Sequence, residues 1–243
     1  MKSILYSMLL LLGKWFYYNR KSKVLYYHDV HQDNTLPKTD MSTPLSLFAQ
    51  HINIIRDNGF EIVQEITKAE NQIMITFDDG YLGVFDNRAF FKANGLSPTI
   101  FIITNEIAKP NFMSSDEILS LKEIGFKFQS HTHTHPDLDL CATAELTAEF
   151  EKSKAILTAI VEDEIDSICF PKGFFTKETI SKAYNADYKR LYSSIPGFYY
   201  EKNKFNVIYR NLVQFSSPFD FRCILFGGLS IFKKRYTKQH YHE

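Results

Sequence analysis

From residue 24 onward, short segments rich in β-branched and aromatic residues alternate with segments whose apolar residues recur at helical spacing. That alternation limits the fold severely, because neighbouring parallel strands must be joined by a long crossover, usually a helix. Strands are expected at residues 24–27, 60–63, 73–77, 99–103, 126–129 and 167–170. Thr43-Pro44 reads as an N-cap with a first-turn proline. The helix it opens carries Leu45, Phe48, Ile52 and Ile55 on one face and ends at Gly59. Ser114 and Glu117 have capping-box spacing, and residues 143–160 place Leu146, Phe150, Leu157 and Ile160 near one face. The expected class is α/β, as a barrel or an open sheet.

A chain of 243 residues with 44% hydrophobic content can bury the core of one such domain and is short for two. Lys plus Arg and Asp plus Glu each total 28, so no global charge argues for nucleic acid. Cys141, Cys169 and Cys223 form no CxxC pair, which removes a disulfide framework or cysteine-rich zinc site from consideration. Residues 4–12 are apolar but span about half of the roughly 20 residues a membrane crossing needs. Trp15, Phe16, Tyr17 and Tyr18, followed by Arg20, Lys21 and Lys23, add an aromatic and cationic edge of the kind found at membrane surfaces. No small-residue cleavage site follows.

Three parts are therefore expected: an apolar and basic segment at 1–23, the α/β domain at 24–215, and a second apolar-then-basic segment at 216–243. Membrane or cell-envelope association is favoured over a cytoplasmic location. The plainer alternative for residues 1–23 is an amphipathic helix packed on the domain. His240 and His242 read as part of a mobile tail.

Residues with chemical potential fall directly after expected strands. Asp78-Asp79 ends an apolar run, with Gly80 permitting a tight turn. One carboxylate can hold a divalent metal while its neighbour accepts a proton from water. His131, His133 and His135 lie within five residues. In one helical turn, His131 and His135 share a face and His133 points away; in an extended loop, all three lie on one side. Two imidazoles and a carboxylate suit Zn²⁺ or a similar cation. Pro171-Lys172-Gly173 follows another strand, and the C-terminal ends of strands are where barrels build active sites.

Thr76-Phe77-Asp78-Asp79-Gly80 and His131-Thr132-His133-Thr134-His135 together resemble the first two motifs of the polysaccharide deacetylase family, also called the NodB-homology or carbohydrate esterase 4 family. The resemblance covers about residues 24–215. It implies a distorted (β/α) barrel of about seven strands, with Asp78 as base and Asp79, His131 and His135 as ligands of a divalent metal, expected to be zinc. The family's third motif stands here as Cys169-Phe170-Pro171-Lys172-Gly173, without its arginine. Arg210 matches a late arginine of one subgroup and is the expected substitute. That subgroup's Tyr-His-x-Val motif is matched at Tyr27-His28-Asp29-Val30, making His28 the expected acid, with His31 a weaker candidate and His51 without a role. The family's late tryptophan and histidine motifs are absent.

What the resemblance implies is hydrolysis of N-acetyl groups from an amino sugar in a cell-envelope polysaccharide or its precursor. The Tyr81 backbone N–H is expected at the oxyanion, Pro171 and Gly173 at the substrate, and Lys172 either in solvent or in contact with the substrate. Removing Asp78 is expected to slow catalysis severely without unfolding the chain. The rival readings are a deacetylase or deformylase of a small or lipid-linked sugar, and an inactive carbohydrate-binding protein that retains the metal residues. A zinc peptidase is disfavoured by the absence of H-E-x-x-H.

Overall fold

The computed structural model describes residues 2–242; Met1 and Glu243, the outer limits of the two terminal segments, lie outside the described residues. Its strands are β1 (Lys23–Tyr27), β2 (Asp29–His31), β3 (Ser42–Pro44), β4 (Glu61–Val63), β5 (Gln72–Phe77), β6 (Thr99–Ile102), β7 (Lys127–Ser130), β8 (Ser167–Cys169), β9 (Arg190–Tyr192) and β10 (Arg210–Leu212). Its α-helices are α1 (Lys2–Phe16), α2 (Leu45–Asp57), α3 (Leu82–Asp86), α4 (Arg88–Ala93), α5 (Ser115–Glu123), α6 (Thr143–Val161), α7 (Lys177–Asn185), α8 (Pro218–Leu225) and α9 (Lys233–His240).

Seven strands lie side by side in the order β10-β1-β5-β6-β7-β8-β9, with every neighbouring pair parallel. A parallel bridge from Tyr192, ending β9, to Ile208, just before β10, nearly closes the ring. The result is a distorted (β/α) barrel, with β4 adding a parallel partner to β5. All six residues of β5 and all five of β1 are buried. This is why those strands read as continuous apolar runs rather than alternating ones.

Register places the chemistry. Tyr27 pairs with Phe77, Phe77 with Ile100, and Ile102 with Ser130. His28, Asp78 and His131 therefore step off their strands at one rim.

The Ser114 capping box forms, with its side chain accepting from Glu117 N–H and Glu117 bonding back. Gly59 closes α2 at φ +70, donating its N–H to Arg56 O. Thr43 and Pro44 depart from expectation. They belong to β3, where Thr43 pairs with Val30, and α2 begins only at Leu45. The Thr43 hydroxyl donates to Gln214 O instead of capping the helix. Pairing with β2 keeps this segment extended, and a residue before proline is in any case disfavoured in the helical region. Strands β9 and β10, three residues each, are too short to show a period in sequence.

Residues from both terminal segments join the main core. Leu10 of α1 and Phe221, Ile224 and Leu225 of α8 are buried in the same cluster as the strand side chains. At roughly 1.5 to 3 kcal/mol for each large apolar side chain withdrawn from water, these residues fasten both ends to the barrel. His240 is buried and its carbonyl accepts from Phe175 N–H, while His242 Nδ1 lies 2.6 Å from Asp139 Oδ2. The expected mobile tail is thus a packed helix and its continuation. No helix among the described residues is long and apolar enough to cross a membrane.

Candidate active site

Asp78 leaves β5 with its N–H bonded to Tyr27 O, which ties it to the neighbouring strand. The chain then reverses tightly. Asp79 has φ +72 and Gly80 φ +91, and a Cβ on Gly80 would come within 2.7 Å of Ile102 Cδ1. This turn sends the two carboxylates in different directions, so that adjacent residues meet different partners.

Asp79 faces the histidines. Its Oδ1 lies 3.4 Å from His131 Nε2 and 3.6 Å from His135 Nε2, and the rings of the two histidines are 4.8 Å apart. The three ligand atoms all fall within 4.8 Å of one another. Asp79 is only 5% exposed, yet its Oδ1 has no hydrogen-bond partner among the described residues. An orphaned buried carboxylate oxygen flanked by two imidazole nitrogens suits a divalent cation. His131 Nδ1–H donates to Cys169 O at 2.8 Å, which fixes the ring and leaves Nε2 for a ligand.

The histidine loop takes neither of the two expected forms. It is irregular, with Thr132 at φ +67 and His135 at φ +61, and it delivers His131 and His135 together while turning His133 to Thr104 Oγ1 at 2.8 Å. Glu149 on α6 holds this strained loop by accepting the N–H groups of both His133 and Thr134.

Asp78 faces Arg210. The guanidinium is fully buried and binds the carboxylate through both oxygens, Nη1 to Oδ1 at 2.6 Å and Nη2 to Oδ2 at 2.7 Å. Arg210 pairs with Val24, below the rim, so its side chain climbs the barrel interior past the faces of Tyr26 and Phe101. The remaining N–H groups go to Ser193 O, Thr76 Oγ1 and Cys169 Sγ. All five donors are engaged, as a buried guanidinium requires. Burial opposes ionisation of Asp78, but the Arg210 charge outweighs it and holds the carboxyl down at about 2.

His28 stands at the same rim. Its Nδ1–H donates to Gln214 Oε1 at 2.6 Å, leaving Nε2 available. It lies close enough to help lower both Asp78 and Asp79. The N–H of Tyr81 has no acceptor among the described residues, because the bonds on either side run from Met113 to Gly80 and from Leu82 to Asn111. The Tyr81 ring stacks on Phe112 at 4.6 Å. Pro171 and Gly173 form a short turn in which Gly173 has φ +80 and a Cβ would meet Ser194 Cβ at 2.6 Å. Lys172 is exposed, and its Nζ pairs with Asp137 at 2.6 Å.

His31 bonds Ser42 Oγ. His51 lies in the core between Tyr27 OH and Ser216 O, and burial pushes it down to about 4.

Three participants escaped the sequence reading. Cys169 could have been found, since it occupies the place of the third-motif arginine. Gln214 and Glu149 carry no sequence signal.

The polysaccharide deacetylase family profile matches residues 65–191, and the chain belongs to that family. YxkH of Bacillus subtilis (strain 168), assigned to the polysaccharide deacetylases, is 25% identical over 188 residues, covering 73% of this chain and 66% of YxkH. Two solved structures share the fold. IcaB from Ammonifex degensii superposes with a TM-score of 0.75 at 18% identity, covering 86% of this chain and 98% of that one. The Streptococcus pyogenes deacetylase PplD, in complex with acetate, gives 0.73 at 22%, covering 82% and 96%.

Proposed function

We propose that this protein is a metal-dependent hydrolase that removes N-acetyl groups from an amino sugar in a cell-envelope polysaccharide or its precursor. The observation that carries the reading is the placement of Asp79, His131 and His135 around an unpartnered carboxylate oxygen, with a second carboxylate beside it on a separate network. Asp79, His131 and His135 would hold the ion, and two imidazoles with a carboxylate favour zinc. A divalent ion there supplies Lewis-acid chemistry, polarising a carbonyl and acidifying water.

The chain's own groups divide the remaining work. Asp78 accepts the proton of the attacking water, its orientation fixed by both arms of Arg210. The free Tyr81 N–H donates to the oxygen that gains charge as the acetyl carbon becomes tetrahedral. His28, oriented by Gln214, gives a proton to the departing amine from Nε2. Pro171 and Gly173 line the substrate side of the mouth. Residues 1–23 bring the domain to a membrane surface.

The absent third-motif arginine favours the rival reading of an inactive carbohydrate-binding protein. Arg210 weakens that ground, because it engages Asp78 with the two-pronged geometry a base-orienting arginine needs.

Purified protein incubated with N-acetylglucosamine oligomers is expected to release acetate, to lose that activity to a chelator and to regain it with Zn²⁺. Activity that survives complete metal removal sinks the reading.

A further inference from the structure

Helix α1 packs by its narrow side. Leu10 is buried, and Gly13 sits against the Gly228 carbonyl with no room for a Cβ. The broader side, Ile4, Leu5, Met8, Leu11, Leu12 and Trp15, is between 41% and 76% exposed. These positions recur at helical spacing and form one continuous apolar strip. A strip of this size on a folded surface marks a contact that has yet to be made.

The charge around the strip is segregated, and the zero net charge conceals it. Residues 1–23 and 216–243 hold ten of the 28 basic residues and two of the 28 acidic ones, Asp220 and Glu243, leaving eighteen basic against 26 acidic elsewhere. The two segments meet: α1 packs on α8 and on residues 228–232, and Tyr6 stacks on Phe232 at 5.6 Å, immediately before α9. Lys21, Arg222, Lys234, Arg235 and Lys238 are exposed and form no ion pair among the described residues. The apolar strip is therefore flanked by cations from both ends of the chain.

We infer that α1 and the C-terminal segment together form one docking face for an anionic lipid surface. This deepens the membrane contact proposed for residues 1–23 and rests on it, while standing apart from the deacetylation itself. An apolar strip alone would also suit a second copy of the chain, but two such faces would oppose like charges, whereas anionic headgroups complement them. Fifteen helical residues span about 22 Å, short of a bilayer core of about 30 Å. The helix accordingly lies in the interface plane, with Trp15 to Tyr18 at headgroup level.

Flotation of the full chain with vesicles tests this. Binding is expected to phosphatidylcholine vesicles that contain phosphatidylglycerol, to be weak on phosphatidylcholine alone, and to fall with salt. Leu11→Ser with Trp15→Ser is expected to abolish flotation. Lys234→Gln and Lys238→Gln each weaken it ~5-fold, since a lysine near an anionic surface contributes ~1 kcal/mol. Both sets of variants retain the wild-type melting temperature and release acetate from soluble oligomers at the wild-type rate, because none touches the site. No flotation on either vesicle overturns the proposal, and so does equal binding to both. A stable dimer that Trp15→Ser dissolves also overturns it, by assigning the strip to self-association. A chain that floats but releases no acetate counts against the deacetylase reading alone.

Discussion

Asp29 and Asp78 are carboxylates at the rim of neighbouring strands, and both are almost completely buried. They differ in what meets them. Asp78 receives both arms of a guanidinium, and its carboxyl is held at about 2. Among the described residues neither oxygen of Asp29 has a hydrogen-bond partner, and the side chain lies against Gly83, where a Cβ would collide with it. Burial dominates there, only partly eased by nearby Ser42 and the Val30 backbone, and pushes the carboxyl up to about 7. The same loss of water thus yields a permanently ionised group in one place and a reluctant acid a strand away. The difference is Arg210, supplied by a strand and lying 132 residues later in the chain.

Removing Arg210 makes Asp78 resemble Asp29, and the largest effects are expected from breaking this pair. Arg210→Met is expected to lower kcat/KM by ~10² or more and to move the acidic limb of its pH profile upward toward neutrality. Arg210→Lys retains the charge without the fork and falls between. An unmoved acidic limb in Arg210→Met would show that Asp78 is not the group whose ionisation the profile reports.

Asp78→Asn is expected to cut acetate release by ~10² to 10⁴. It is also expected to destabilise the fold by ~3 to 5 kcal/mol, because Arg210 would remain buried and charged without its counter-ion. Loss of Asp78 is still expected to leave the chain folded, and the bidentate pair adds that it does so at a cost in stability. In urea melts, Asp78→Asn with Arg210→Met is therefore expected to be more stable than either single variant while remaining inactive. Simple addition of the two losses would mean the ion pair is not what couples them.

The same pair shows how far the sequence could be read. Asp78, Asp79, His131 and His135 were legible because motifs at the C-terminal ends of strands converge in a parallel barrel whatever the loop details. Arg210 and His28 could be named only through resemblance, since a single arginine or histidine at a strand end has no spacing to mark it. Gln214 and Glu149 were illegible: each acts through a side chain brought in by tertiary packing, from residue 214 to residue 28 and from α6 to the histidine loop. Thr43-Pro44 placed the helix start one residue early for a related reason, as the pairing with β2 extends through Pro44.

Asp29 sharpens the comparison from its other side. A carboxyl raised in the folded state binds its proton more tightly there than in the unfolded chain, so its stabilising contribution is full below about pH 4 and is lost as pH rises through about 7. Asn at this position does not titrate. Relative to wild type, Asp29→Asn is expected to gain stability between pH 5 and pH 8, by ~3 kcal/mol or several degrees in melting temperature. His51, pushed down to about 4, makes both proteins less stable as pH falls below about 6.5, and that contribution cancels in the difference. A pH-independent difference would mean that Asp29 does not carry the raised pKa.

The smallest effect is expected at Cys169. Burial pushes its thiol up, so it stays neutral and takes one guanidinium N–H without competing with Asp78 for the positive charge. Serine offers a neutral acceptor of nearly the same size, and Cys169→Ser is expected to cost under about 1.5 kcal/mol with little change in kcat/KM. Cys169→Ala leaves that N–H unpaired in a dry site and costs ~1 to 3 kcal/mol, still with Asp78 ionised. Cys169→Arg returns an arginine to the third motif, but a second guanidinium has neither space nor a free carboxylate while Arg210 remains. Joined to Arg210→Met, it gains both, and the acidic limb that Arg210→Met displaced is expected to return toward its original position. If the combined variant keeps the displaced limb, an arginine at 169 cannot reach Asp78 in this barrel, and β10 is the one place among those tested from which the base can be held.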